Sequence, residues 1–161
     1  MTSQPAAIPL NDNSDYGLCF ACGPRNDGGL HLTFRREGDT VVTTYTGLEH
    51  HQGFPGVIHG AVITGLLDEV MSRVPVIEGR WGMSAKLDVR FRLPIRVGDV
   101  LTATARKDGG RGAIMRTSAT VTLPDGRLAA EATATFALLS PNTLADMAQD
   151  YPELARTWLV G

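Results

Sequence analysis

The sequence is poor in cysteine, in lysine, in aromatic residues and in unbroken apolar runs. Two cysteines among 161 residues cannot build a disulfide scaffold, and they fit a reducing compartment. Lysine stands only at Lys86 and Lys107, so nearly all the positive charge is arginine, and a formal net charge of -2 argues against a dedicated nucleic-acid partner. No apolar stretch approaches the roughly 18 residues of a membrane span, and Met1 to Ala7 lack a basic start followed by an apolar run. The expectation is a cytoplasmic protein with no membrane association. What remains, 43% hydrophobic and 20% charged residues, describes one soluble globular domain.

One stretch organises the rest. From His59 to Val74 the pattern is helical: Val62, Ile63, Leu66, Leu67, Val70, Met71 and Val74 fall on a broad apolar face. Ala61, Thr64, Gly65, Asp68 and Ser72 share a narrow face of small side chains. Asp68 is the one acid on that small face, whereas Glu69 lies beyond its edge and nearer Arg73. Pro75 predicts the helix end at Val74.

Before the helix, residues 1–18 read as an extended lead-in. Cys19-Phe20-Ala21-Cys22 has the spacing of half a zinc site or of a redox pair. A structural zinc needs about four ligands, and only His31, His50 and His51 offer to complete it, so the reading taken is a buried turn with no metal. Leu30, Leu32 and Phe34 alternate with His31, Thr33 and Arg35 in a first strand, Glu37-Gly38-Asp39 turns, and Thr40 to Thr46 returns. The loop Leu48 to Ile58 is rich in glycine and in ring side chains.

After the helix, strands are expected at Ser84–Phe91, Val100–Arg106, Ile114–Leu123 and Leu128–Leu139. Alternation puts Ala85, Leu87, Val89 and Phe91 on one face and Ser84, Lys86, Asp88 and Arg90 on the other. Asp108-Gly109-Gly110 and Pro124-Asp125-Gly126 read as hairpin turns. The order is two strands, one long helix and four antiparallel strands, an α+β arrangement in which the sheet curls around the helix. Leu144, Met147, Tyr151, Leu154 and Trp158 recur at helical steps, so residues 140–161 are expected as an amphipathic helical tail packed on the body.

Cys19 to Leu32, the loop Gln52 to Ala61, Leu66-Leu67-Asp68-Glu69 and Asp88 to Pro94, in this order, resemble the hotdog-fold acyl-CoA thioesterases, and within them the phenylacetate-pathway (PaaI-like) branch of the 4-hydroxybenzoyl-CoA thioesterase superfamily. The resemblance covers residues 19–139. It implies a hotdog fold and hydrolysis of an acyl-CoA thioester without a cofactor. It also implies roles: the backbone N–H at His59-Gly60 polarises the thioester carbonyl, Asp68 serves as nucleophile or general base, and Ser84 helps hold water or substrate.

Physical chemistry supports these roles independently. A helix N-terminus offers free N–H groups to an oxygen that gains negative charge, and Gly60 permits close approach. The His59 imidazole is read as orienting the loop by hydrogen bonding rather than as the base. Gly60 and Asp68 are separated by ~12 Å along one helix, too far to serve one carbonyl. The acid must then come from a second chain whose helix runs antiparallel, so a homodimer with two shared sites is expected, with a tetramer left open. Related branches carry Asn where this chain has Gly53 beside Gln52, and Gly where it has Ala61. Gln52, Gly53, Ala61 and Thr64 are thus the candidate substrate contacts. Arg90 and Arg92 are candidates for CoA phosphates. The alternatives are a non-catalytic acyl-CoA binding or sensing protein of the same fold, and a hydratase, for which the acid stands in the wrong place.

Overall fold

In the computed structural model, residues 10–11 and 17–152 are described. Alternation of β-branched and apolar residues builds six strands: β1 (Phe34–Glu37), β2 (Thr40–Thr46), β3 (Gly82–Phe91), β4 (Val100–Arg111), β5 (Ile114–Thr122) and β6 (Leu128–Leu138). Helix α1 (Gly60–Ile77) lies between β2 and β3 in the chain, and α2 (Pro141–Asp150) follows β6. The strands form one antiparallel sheet in the order β1-β2-β4-β5-β6-β3. The sheet wraps α1, which contacts β2 through β6. All seven residues of the apolar helix face are buried, with Leu66, Leu67, Val70 and Met71 at 0% exposure against Leu101, Val121 and Phe136 of the sheet.

Four departures from the expected elements have local causes. The alternation at 30–34 is real, since Leu30, Leu32 and Phe34 are buried, but strand pairing starts only at Phe34. His31 has φ +50, and Leu30 and Leu32 donate their N–H groups to Phe20 and Ala21 instead of to a strand. Helix α1 runs through Pro75 to Ile77 rather than ending at Val74. Proline there forfeits one N–H, while its carbonyl accepts from Glu78 and Arg80, both at 3.0 Å.

Asp108-Gly109-Gly110 is a bulge inside β4 rather than a turn: the register shifts between Lys107 and Gly109, and Gly110 then pairs with Met115. Gly110 has φ +132, and a Cβ there would lie 2.1 Å from the Ile114 carbonyl oxygen, so only glycine fits. The tail begins as expected, with Ser140 capping α2 at the Thr143 N–H (3.1 Å), but α2 buries none of its side chains. The expected packing of Leu144 and Met147 is therefore only partial, and Leu154 and Trp158 lie outside the described residues.

Candidate active site

Helix α1 starts where the chain comes off a tightly bonded loop. His51 is buried, its Nε2–H donates to the Gly28 carbonyl at 3.1 Å, and its Nδ1 accepts from the Tyr45 hydroxyl at 2.7 Å. Burial raises the Tyr45 phenol above its ordinary pKa, which keeps it a donor. With both nitrogens engaged, His51 buttresses the loop. Its carbonyl accepts the His59 N–H at 2.9 Å and so sets the entry to the helix.

His59 is the N-cap. Its Nδ1 accepts the Ala61 N–H at 2.9 Å, which places the proton of the neutral ring on Nε2. The Val62 N–H bonds the His59 carbonyl at 3.0 Å and Ile63 shares it at 3.4 Å. Of the four first-turn N–H groups, Gly60 alone has no acceptor among the described residues. A Cβ on Gly60 would stand 3.4 Å from the Phe91 ring, so that free N–H opens beside an aromatic wall supplied by the end of β3. Here the helix dipole and an unspent donor coincide, as stabilisation of an oxyanion requires.

Asp68 sits two turns further along, half-buried, and accepts a 2.6 Å hydrogen bond from Ser84 Oγ. The alternation read from sequence places Ser84 on the face opposite Leu87, and the structure corrects this. The β3–β6 register shifts between Ser84 and Lys86, so Ser84 opposes Phe136 while Leu87 and Val89 oppose Ala134 and Ala132. All three of these partners are buried, so the bulge turns Ser84 onto the helix-facing side. Nothing in the residue types announces a bulge at Ala85, and the Asp68–Ser84 bond depends on it.

The other candidate contacts divide. Gln52 uses its Oε1 to accept the Gly56 N–H at 2.8 Å, leaving its amide NH2 as a donor at the exposed loop. Gly53 has no room for a side chain, because a Cβ would stand 2.9 Å from His59 Cδ2; the small residue belongs with this position of the capping ring. Thr64 returns its hydroxyl to the Gly60 carbonyl at 2.9 Å, and Ala61 is exposed next to the free N–H. Arg90 and Arg92 both reach Glu131, and Arg90 opposes Glu131 on the face away from the helix. They are not gathered with Asp68. Gly65 is covered by Phe20, whose ring lies 3.4 Å from the position of a Cβ there, so part of the small helix face carries a residue of the same chain.

The neighbouring acid behaves as the helix pattern requires: Glu69 bonds Arg73 at 2.6 Å. The histidine ligands considered for a Cys-x-x-Cys zinc site do not converge. Cys19, Cys22 and Glu69 form the cluster, and no histidine joins it among the described residues.

The chain is similar to known proteins over this region. A model described as the thioesterase superfamily matches residues 55–130. Acyl-coenzyme A thioesterase THEM4 of Mus musculus is 30% identical over 102 residues, covering 63% of this chain and 44% of that protein. The chain thus spans less than half the length of that relative. A crystal structure described as a thioesterase superfamily protein has a TM-score of 0.67 and 29% identity, with 71% of this chain and 60% of that one covered. The E. coli PaaI protein from the phenylacetic acid degradation operon has a TM-score of 0.64 at 17% identity, over 67% of this chain and 83% of its own.

Proposed function

We propose that this chain, which has the hotdog fold and carries the thioesterase-superfamily pattern over residues 55–130, hydrolyses acyl-CoA thioesters to a carboxylic acid and free CoA. The observation that carries the reading is the division of labour at the start of α1: His59 consumes the Ala61 N–H and leaves the Gly60 N–H free. The thioester carbonyl oxygen takes that N–H, gaining charge at the positive end of the helix as attack proceeds. Asp68, steadied by Ser84, activates water or attacks the carbonyl itself, and CoA leaves as a thiol.

The two half-sites lie ~12 Å apart along α1, so each is completed by a second copy. Support comes from β3. It runs antiparallel to α1, with Phe91 beside Gly60 and Ser84 beside Asp68, and among the described residues it is the sheet's edge, paired only to β6. Ten residues of unpaired edge, with Met83 and Phe91 about half exposed at 51% and 54%, are a template for another strand. Pairing β3 with its own copy about a two-fold axis near Leu87 and Asp88 sets the Ser84 end of one chain beside the Phe91 end of the other. Asp68 of one chain then meets Gly60 of its partner. Gln52, through its free amide NH2, and the exposed Ala61 border the reacting end of the acyl group. Arg90 and Arg92 offer the CoA phosphates a contact in exchange for Glu131.

Thiol release over a panel of acyl-CoAs tests the reading. Turnover is expected for at least one ester, and its loss in Asp68→Asn. Unchanged turnover in that variant removes the mechanism, and tight CoA-ester binding without thiol release favours a binding or sensing role.

A further inference from the structure

The Cys-x-x-Cys segment takes no part in the proposed reaction, yet it has a built environment. The Gly23 N–H donates to the Cys19 carbonyl at 2.9 Å, which closes residues 19–23 into a single turn. That turn brings Cys19 Sγ, Cys22 Sγ and a carboxylate oxygen of Glu69 within 4.8 Å of one another. Neither cysteine is in a disulfide among the described residues; Cys19 is partly exposed and Cys22 is buried. From α1, one terminal nitrogen of Arg73 donates to Cys22 Sγ at 3.1 Å and to Glu69 at 2.6 Å. Arg73 as a residue is 6% exposed, and its guanidinium carbon lies over the Phe34 ring, 4.8 Å from its centroid.

This is poor ground for a metal ion. Three donors fall short of the four that structural zinc takes, and a buried cation already bridges two of them. It is good ground for thiol chemistry, because one turn holds two sulfurs within reach of each other and the Arg73 charge beside Cys22 stabilises that sulfur as it becomes a thiolate. The two sulfurs also differ. The hydrogen bond from Cys22 lowers Cys19 to about 6, whereas that same bond, burial and the Glu69 charge push Cys22 up.

We propose that Cys19 and Cys22 form a reversible dithiol–disulfide centre, in which the accessible Cys19 attacks a low-molecular-weight disulfide and the buried Cys22 resolves the product. In the first step the Cys19 thiolate bonds one sulfur of the disulfide, the reagent's S–S bond breaks, and the departing thiolate takes a proton from solvent. In the second, Cys22 gives up its proton and attacks the Cys19 sulfur, and the second thiolate leaves and is protonated. Two protein thiols are oxidised and one disulfide is reduced to two thiols. Arg73 is a positioning residue that holds Cys22 and its developing negative charge during the second step. Phe20, between the two cysteines, rests on Gly65 of α1, so the centre abuts the helix that carries Asp68.

The test is independent of the hydrolytic reading. Native full-length protein is treated with oxidised glutathione and its thiols are mapped by non-reducing mass spectrometry. The expected result is loss of both thiols to one Cys19–Cys22 bridge, no retained glutathione, and full recovery with dithiothreitol. Cys22→Ala is expected to keep glutathione on Cys19, and Cys19→Ala to take up none. Persistence of both free thiols in the unmodified protein, a bridge formed only between chains, or copurified zinc that must be chelated before either thiol reacts would each overturn the proposal. The decisive measurement uses the unmodified protein, so a variant that fails to fold does not protect the idea.

Discussion

Asp68 and Glu69 are neighbours in the chain and opposites in their surroundings. Glu69 faces inward to a buried guanidinium and two sulfurs, so its charge is matched and held. Asp68 faces a hydroxyl at the mouth of the helix-facing sheet and has no cationic partner among the described residues. A carboxylate neutralised by an arginine is a poor nucleophile and base, whereas one held only by a hydroxyl keeps its electron pair available. The difference separates an acid whose charge is matched by a neighbouring arginine from one that only a hydroxyl reaches among the described residues. Adjacent positions on one helix suffice for it, because 100° of rotation separates their directions.

That contrast can be broken from either side. Asp68→Asn is expected to lower kcat by at least ~10²-fold, the scale of a lost general base, with a melting temperature close to that of the unmodified protein. Glu69→Ala should do the reverse: it strands the Arg73 charge in the interior and lowers unfolding stability by about 3 kcal/mol in a urea titration, while the chemistry at Asp68 persists in the folded fraction. Ser84→Ala removes one hydrogen bond to a charged group, worth roughly 1.5 kcal/mol or about tenfold in kcat/KM, with the loss expected to persist at saturating substrate. The smallest effect sharpens the inward side. Alkylation of Cys19 by iodoacetamide should rise with pH through a midpoint near 6 and level off above it, because the hydrogen bonds from Cys22 favour the thiolate and burial and the Glu69 charge oppose it only in part. A midpoint at the ordinary thiol value would show that the turn does not hold the two sulfurs together.

The core was legible in the sequence because its signal is periodic. Seven apolar residues at helical spacing and the alternation of β5 and β6 leave little choice of buried face. The ranking of Asp68 over Glu69 follows from the same angular argument. What periodicity missed are the places where the backbone leaves it. The bulge at Ala85 reverses the face of Ser84, and the bulge at Asp108 carries β4 past two glycines that read as a turn. Pro75 read as a stop, yet its carbonyl collects two N–H groups and the last turn survives. At the site, the role of His59 as cap was visible in outline, but its consequence was not: which of the first-turn N–H groups remains free depends on the rotamer of one imidazole.

The most direct test asks whether Gly60 and Asp68 act from different chains. Proline is tolerated at the first helical position and needs an extended residue before it, and His59 has φ -64 and ψ 138. Gly60→Pro therefore deletes the free N–H while keeping the helix start. It and Asp68→Asn are each expected to be inactive alone. Mixed as equal amounts and allowed to exchange subunits, they should regain about one quarter of the unmodified activity, since half of the dimers are mixed and each of these carries one intact site. A mixture that exchanges subunits, as seen by native mass spectrometry, and stays inactive would contradict the shared site.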